Sequence, residues 1–222
     1  MSSTLSAEEI SSICDGSHGD PFAVLGFHTI KTVQETEKLV FRTFRPEASK
    51  VFLNLGNKSV ELTLLSNAGL FEHVFPWRKK IADYTLTVVP NHGEKFTISD
   101  AYAFGSLLND FDLQLWGEGN HKKAYEFMGA HPKTVNGIAG VHFVVSAPSA
   151  ARVSVIGPFN NWDGRTHRMR KYHDQGLWEL FLPHVTVGDE YKFEIKSPMQ
   201  DPPLKKADPF AFHAQLRPET AS

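Results

Sequence analysis

The strongest constraint on this chain is that most of it occurs twice. Residues 25–28 ("LGFH") return as residues 128–131 ("MGAH"), 103 positions later, and the correspondence continues in order. "VFRTFRPEASKVFL" parallels "VHFVVSAPSAARVSV", which sets Pro46 against Pro148 and Val51 against Val153. "GLFEHVFP" parallels "GLWELFLP", which sets Phe71 against Trp178. Tyr84 then meets Tyr191, and "DAYAF" from Asp100 meets "DPFAF" from Asp208. A period this long implies tandem domains rather than a solenoid of short repeats.

Within each copy the apolar residues alternate over short segments bounded by turn signals, which predicts strands. These fall at 39–44, 50–55, 60–65, 71–76 and 83–89 in the first copy, and at 140–145, 152–156, 178–182 and 190–196 in the second. "SNAG", "PNHG", "PSAA" and "YHDQG" separate them at sandwich spacing. The expected fold is all-β: two tandem immunoglobulin-like β-sandwiches over residues 18–108 and 128–222. Trp178 alternates with Leu180 and Leu182, so it is expected in the core.

Three pieces lie outside the repeat on this reading. Residues 1–17 hold a short helix, with Ser6 as N-cap, Glu9 completing a capping box, Leu5 and Ile10 placed for a hydrophobic staple, and Gly16 as its stop. The connector 109–127 carries Phe111, Leu113, Leu115 and Trp116 and is too apolar for a free linker. It is expected to pack between the sandwiches, with Trp116 at their interface. The final "QLRPETAS" is polar and uncapped, so a further domain is expected after it.

Composition narrows the function classes. Charged residues make up 22% of the chain, its net charge is −2, and Lys and Arg are scattered rather than striped, which argues against nucleic acid as a partner. The only cysteine, Cys14, rules out a disulfide framework or cysteine metal cluster within the chain. The eleven histidines show no metal-ligand spacing, and no phosphate loop or nucleophile elbow is present. No cofactor is expected. With no apolar run long enough for a membrane span and no signal core in "MSSTLSAEEI", the expectation is a cytoplasmic, membrane-independent monomer.

The copies differ in one informative place. Between Val155 and Gly176 the second copy holds five more residues than the first holds between Leu53 and Gly69, and they fall around "PFNNWDGRTHRM". The first copy has no aromatic there, so Trp162 is not needed to build the sandwich. A flat indole can cover the C–H face of a pyranose while amides pair with its hydroxyls, and Trp162, Asn160 and Asn161 supply both on one turn. Lys192, in "YKFEI", could add a charged donor. The bland alternatives stay open: Trp162 packed on its own loop, for instance on Met169; Asn160 and Asn161 as turn formers; Lys192 in solvent.

The stretch from "GAHPKTVNG" to "EIKSPMQ", with "KKADPFAF" and "RPETAS", resembles the second N-terminal domain of bacterial 1,4-α-glucan (glycogen) branching enzymes, a glycogen-binding type of carbohydrate-binding module. "GDPFAVLGFH" and "DAYAFGSLLNDFDLQLWGEGNHKKAYEFMGAHP" resemble the domain that precedes it in the longer enzymes. The resemblance implies α-glucan (glycogen or malto-oligosaccharide) as ligand and an α-amylase-type catalytic barrel following in the same chain. That barrel would carry the aspartate and glutamate that cut an α-1,4 bond and pass the chain to a 6-hydroxyl, so no catalytic residue is assigned here. The chain departs from the family pattern at Ser146, where tryptophan is usual, at Pro158, where aspartate is usual, and after "YKF", where kinase-subunit relatives carry a second aromatic. The alternative reading is a structural module that braces the barrel and sets transferred chain length without binding glucan itself.

Overall fold

The computed structural model describes residues 4–31, 37–76, 83–216 and 218–222. Two compact units divide the chain, Met1–Ala103 and Phe104–Ser222, and each is an antiparallel β-sandwich.

In the first unit, α1 (Ala7–Cys14) and a 3-10 turn (Pro21–Ala23) precede β1 (Gly26–Lys31), β2 (Glu37–Phe44), β3 (Ala48–Leu55), β4 (Lys58–Glu61), β5 (Thr63–Ser66), β6 (Leu70–Phe75), β7 (Thr85–Pro90) and β8 (Phe96–Ile98). One sheet runs β1-β2-β6-β5 and the other β4-β3-β7-β8. Leu39, Phe41, Phe71 and Phe75 of the first meet Val51, Leu53, Leu86 and Val88 of the second. These are the alternate, inward positions that period-2 patterning selects. Residues 60–65, expected as one strand, change sheets at Leu62. Its side chain is buried and its N–H still donates to Val51 O at 2.9 Å, after which the chain crosses to β6.

The second unit holds α2 (Asp110–Gly117), a 3-10 turn (Ala124–Glu126), β9 (Gly129–Val135), β10 (Ile138–Ser146), β11 (Arg152–Ile156), β12 (Arg170–Tyr172), β13 (Leu177–Pro183), β14 (Lys192–Ser197) and β15 (Gln200–Lys206). Its sheets run β12-β13-β10-β9 and β11-β14-β15. The register pairs Val141 with Leu182, Phe143 with Leu180 and Val145 with Trp178, so all six share a face. Phe143 meets Tyr191 edge-on at 5.0 Å. Trp178 is fully buried, as expected, and its indole N–H donates to Ala147 O at 2.9 Å. Strand β15 contains Pro202 and Pro203, which a central strand would not tolerate; it lies at a sheet edge.

One expectation needs correcting. The N-terminal helix and the connector do not stand outside the repeat; each is the counterpart of the other. At the constant offset of 103, α1 becomes α2, the 3-10 turn at Pro21–Ala23 becomes that at Ala124–Glu126, and β1 becomes β9. Ser6 caps α1 through Glu9 N, and Asn109 caps α2 through Asp112 N. Gly16 and Gly119 follow the two helices with φ of 73° and 71°. His28 Nε2 bonds Leu25 O at 2.8 Å, and His131 Nε2 bonds Met128 O at 2.9 Å.

Each of these straps covers the outer face of its own unit's first sheet. Ile13, Val24 and Leu25 pack on Phe44 and Leu70, with Leu5 and Ile10 beside them. Leu108, Phe127 and Met128 pack on Val144 and Leu177, with Leu113 and Trp116 beside them. Trp116 donates to Gln175 O at 3.1 Å and meets Phe127 edge-on. The described contacts of the connector thus seat it on the second sandwich as a cover.

A buried glutamate latches each strap. Glu72 Oε1 accepts from Thr4 N at 3.3 Å, while Glu72 Oε2 pairs with Arg42 Nε at 2.8 Å and bonds the Thr4 hydroxyl. Glu179 stands at the matching place: its Oε1 accepts from Leu107 N at 2.6 Å, Leu108 N at 3.0 Å and His142 Nε2 at 2.8 Å, and its Oε2 accepts from Tyr172 OH at 2.6 Å. Burial alone would raise the Glu179 pKa, but the bonds from His142, Tyr172 and Leu107 outweigh it and hold the carboxyl at about 2. Burial lowers the pKa of His142, whose Nδ1 is buried without a partner among the described residues. Where the first unit pairs Glu72 with Arg42, the second has Val144 and takes its donor from His142 instead.

Candidate functional site

The two units part company after their third strand. In the first, β3 turns back through Gly56 and Asn57 into β4, which adds a fourth strand to the sheet. In the second, β11 leads into a long loop, residues 157–169, and its sheet keeps three strands among the described residues. The five-residue excess lies in this loop.

The loop is tied to β11 on its way back. His167 O accepts from Val155 N at 3.0 Å, Met169 N donates to Val153 O at 2.9 Å, and Arg168 bridges to Ser154. Farther out, the Gly164 carbonyl accepts from Arg152 Nη1 at 2.6 Å and from Ser154 Oγ at 2.5 Å. Gly164 lies so close to Glu194 that a Cβ there would collide with its Oε1. Glu194 in turn pairs with Arg152 at 2.6 Å. Asp163 forms a fork with Arg165, Oδ1 to Nε at 3.1 Å and Oδ2 to Nη2 at 2.8 Å. Partial burial would raise its pKa, and the Arg165 bonds overcome that and lower it.

Of the four sequence-predicted binding residues, Asn161 and Trp162 lie at the loop tip, Lys192 reaches the Trp162 ring from β14, and Asn160 is engaged inside the loop. Trp162 is half-buried, in a left-handed backbone conformation with φ 58°, and its N–H donates to Gly157 O at 2.9 Å. Asn161 is exposed, with φ 52°, and its side chain has no hydrogen-bond partner among the described residues. Lys192, the first residue of β14, pairs in register with Ile156, the last of β11. Its ammonium lies 5.7 Å from the centre of the Trp162 ring and donates to Thr220 Oγ1 at 2.6 Å. Tyr191 and Phe193 are buried while Lys192 is half-buried, which is the alternation expected of it. Met169, the last residue of the loop, is fully buried.

Asn160 uses its amide on the protein itself: Oδ1 accepts from Gly157 N at 3.0 Å, and Nδ2 donates to Val155 O at 2.9 Å and to His167 Nδ1 at 3.0 Å. This is the turn-forming role left open from sequence. Two participants escaped sequence reasoning. Thr220 lies 28 residues beyond Lys192 in an irregular tail, and no local pattern marks it. Arg152 was visible only as an alternating strand residue; its fork to Gly164 and Glu194 depends on the loop's folding back.

A half-exposed indole sits with an ammonium at its face and a free amide next to it in sequence, an arrangement that offers an apolar platform and polar neighbours. The nearby carboxylates are committed, Asp163 of the loop to Arg165 and Glu194 of β14 to Arg152. Among the described residues, no group of three or more His, Cys, Asp or Glu side chains could hold a metal ion.

Comparison with known proteins divides the chain at the same place. Residues 6–102 match the family model for the N-terminal domain of the alpha-1,4-glucan branching enzyme GlgB. Residues 127–211 match carbohydrate-binding module 48, the isoamylase N-terminal domain. Similar solved structures include a pullulanase from Anoxybacillus sp. LM18-11, 15% identical over 88% of this chain and 27% of that one, with a TM-score of 0.34. Others are pullulanase type I from Bacillus subtilis str. 168 complexed with maltose, at 16% identity over 83% and 24% and a TM-score of 0.27, and ligand-free PulA from Klebsiella pneumoniae, at 16% over 85% and 20% and a TM-score of 0.32. The chain thus spans about a quarter of the length of these structures.

Proposed function

With residues 6–102 belonging to the N-terminal domain family of alpha-1,4-glucan branching enzymes and residues 127–211 to carbohydrate-binding module 48, we propose that this chain is the non-catalytic N-terminal part of a glycogen branching enzyme. On this reading its second sandwich holds α-glucan for a catalytic barrel that follows in the same protein. That barrel, a cytoplasmic transferase acting in glycogen biosynthesis, cuts α-1,4 chains and rejoins them as α-1,6 branches.

The observation that carries the reading is the loop tip. The Lys192 ammonium of β14 lies over the ring of Trp162, which follows Asn161 on a loop that the sister sandwich builds without. The indole takes the C–H face of a glucosyl ring, and Lys192 and Asn161 meet its hydroxyls. A site of this kind is worth about −4 kcal/mol, a millimolar affinity, because each hydroxyl exchanges water for protein at little net gain. In the full enzyme, a barrel that holds the same polymer raises that through avidity.

The test is electrophoresis of the chain in native gels cast with and without glycogen. Retardation of the wild type, lost in Trp162→Ala, is expected. Equal mobility with and without glycogen would refute binding and favour the bracing role, in which deletion of the chain from the full enzyme alters product chain lengths.

A further inference from the structure

Asn161 and Trp162 are consecutive non-glycine residues in the left-handed region, at φ 52° and 58°. A tryptophan there is an outlier, and such outliers persist only where the surroundings over-determine them. Main-chain bonds hold part of the turn, Trp162 N to Gly157 O at 2.9 Å and Asp163 N to Asn160 O at 3.0 Å, and one side chain ties this turn to the loop base. The Asn160 amide touches three parts of the loop base: Val155 on the outgoing limb, Gly157 at the turn and His167 on the returning limb. Both of its hydrogens and one face of its oxygen are thereby used. The segment from Asn161 to Thr166 hangs from that pin on one side and from the Arg152–Gly164 clasp on the other.

Resting on the glucan-binding reading above, we propose that Asn160 is a positioning residue: it locks the left-handed backbone that presents Trp162 and touches no sugar itself. No other side chain of this length supplies one acceptor and two donors. Aspartate lacks the donors, so its oxygen would face the Val155 carbonyl; alanine lacks all three groups. Without the pin the backbone of Asn161 and Trp162 relaxes to ordinary conformations, and each binding event must restore the productive one.

The experiment uses the whole 222-residue chain with maltoheptaose as probe, comparing wild type, Asn160→Ala, Trp162→Ala and the double variant. Asn160→Ala is expected to weaken binding about tenfold while leaving the thermal midpoint of the second unit within a few degrees. In the Trp162→Ala background it is expected to cause no further loss, because its effect runs through the indole. An equal loss in both backgrounds would mean that Asn160 contacts sugar directly and would overturn the proposal, as would wild-type binding by Asn160→Ala. A second readout is independent of glucan: backbone chemical shifts and HN–Hα couplings of residues 161 and 162. These are expected to leave the left-handed region in Asn160→Ala, and their staying there would overturn the proposal. Absence of maltoheptaose binding by the wild type would instead refute the glucan reading, with the backbone measurement still deciding the role of Asn160.

Discussion

Glu179→Ala is the substitution whose cost the structure specifies most fully. Four donors converge on this carboxylate: the N–H groups of Leu107 and Leu108, His142 Nε2 and Tyr172 OH. Tyr172 also bonds Ser106 and can turn to another partner, but the Leu108 and His142 donors are buried and have no second acceptor among the described residues. Stranding each costs roughly 1–3 kcal/mol, and the bonds lost are to a charged group, the strong kind. Removing one member of a buried charged network typically costs about 3–5 kcal/mol, and that range is expected here. For a unit of this size it lowers the melting temperature by about 10–25 °C. The same variant should release the strap, so amide exchange at Leu107 and Leu108 should rise well above that of the β10–β13 core. Calorimetry and amide hydrogen exchange on the full chain read both effects. A loss below about 1 kcal/mol with both amides still protected would refute the latch.

Other consequences follow from the same geometry. The Glu179 carboxyl titrates at about 2 when folded against 4.5 when free. Its stabilisation is therefore complete above about pH 4.5 and disappears as pH falls toward 2, in total roughly 3 kcal/mol at about 1.4 kcal/mol per pH unit. His142 acts in the same direction from a higher pH: its folded pKa lies below 6.5, so the unfolded chain takes the proton first and stability falls as pH drops below that value. Asp208, raised by burial, opposes them only at low pH. Urea unfolding between pH 7 and 3 should show the second unit losing stability in two stages; a flat profile would contradict the assignment. Gly164→Ala should cost about 1–3 kcal/mol, because its Cβ would collide with a glutamate that Arg152 holds in place. It should weaken glycogen retention as well, and unchanged stability and retention would show that the loop yields freely.

The tandem sandwiches were legible in the sequence because period-2 alternation and turn residues are local, and because two copies of one pattern reinforce each other. The capping box of α1 was legible for the same reason: Ser6 and Glu9 are three residues apart. The equivalence of the straps was present but faint. Continuing the offset of 103 backward from His28 and His131 aligns His18 with His121, Gly16 with Gly119, Ile13 with Trp116 and Ile10 with Leu113, without a gap. Few identities survive, since what the strap needs is apolar residues facing a sheet, and Ile13 and Trp116 both satisfy that. The glutamate latch could not be read, because Glu72 and Glu179 sit among alternating strand residues and their partners on the straps lie roughly 70 positions away. At the loop, residue types singled out Trp162, Asn160, Asn161 and Lys192, but only the fold could assign Asn160 to the frame and bring Thr220 to Lys192.

The central claim, that the tip of the 157–169 loop is a glucan platform, is tested most directly by titrating the isotope-labelled chain with maltoheptaose and following its amide and indole resonances. Saturable shifts are expected at the Trp162 indole N–H, at the backbone of residues 160–163 and around Lys192, with the first sandwich unmoved. Shifts confined to other surfaces, or none at millimolar sugar, would contradict it.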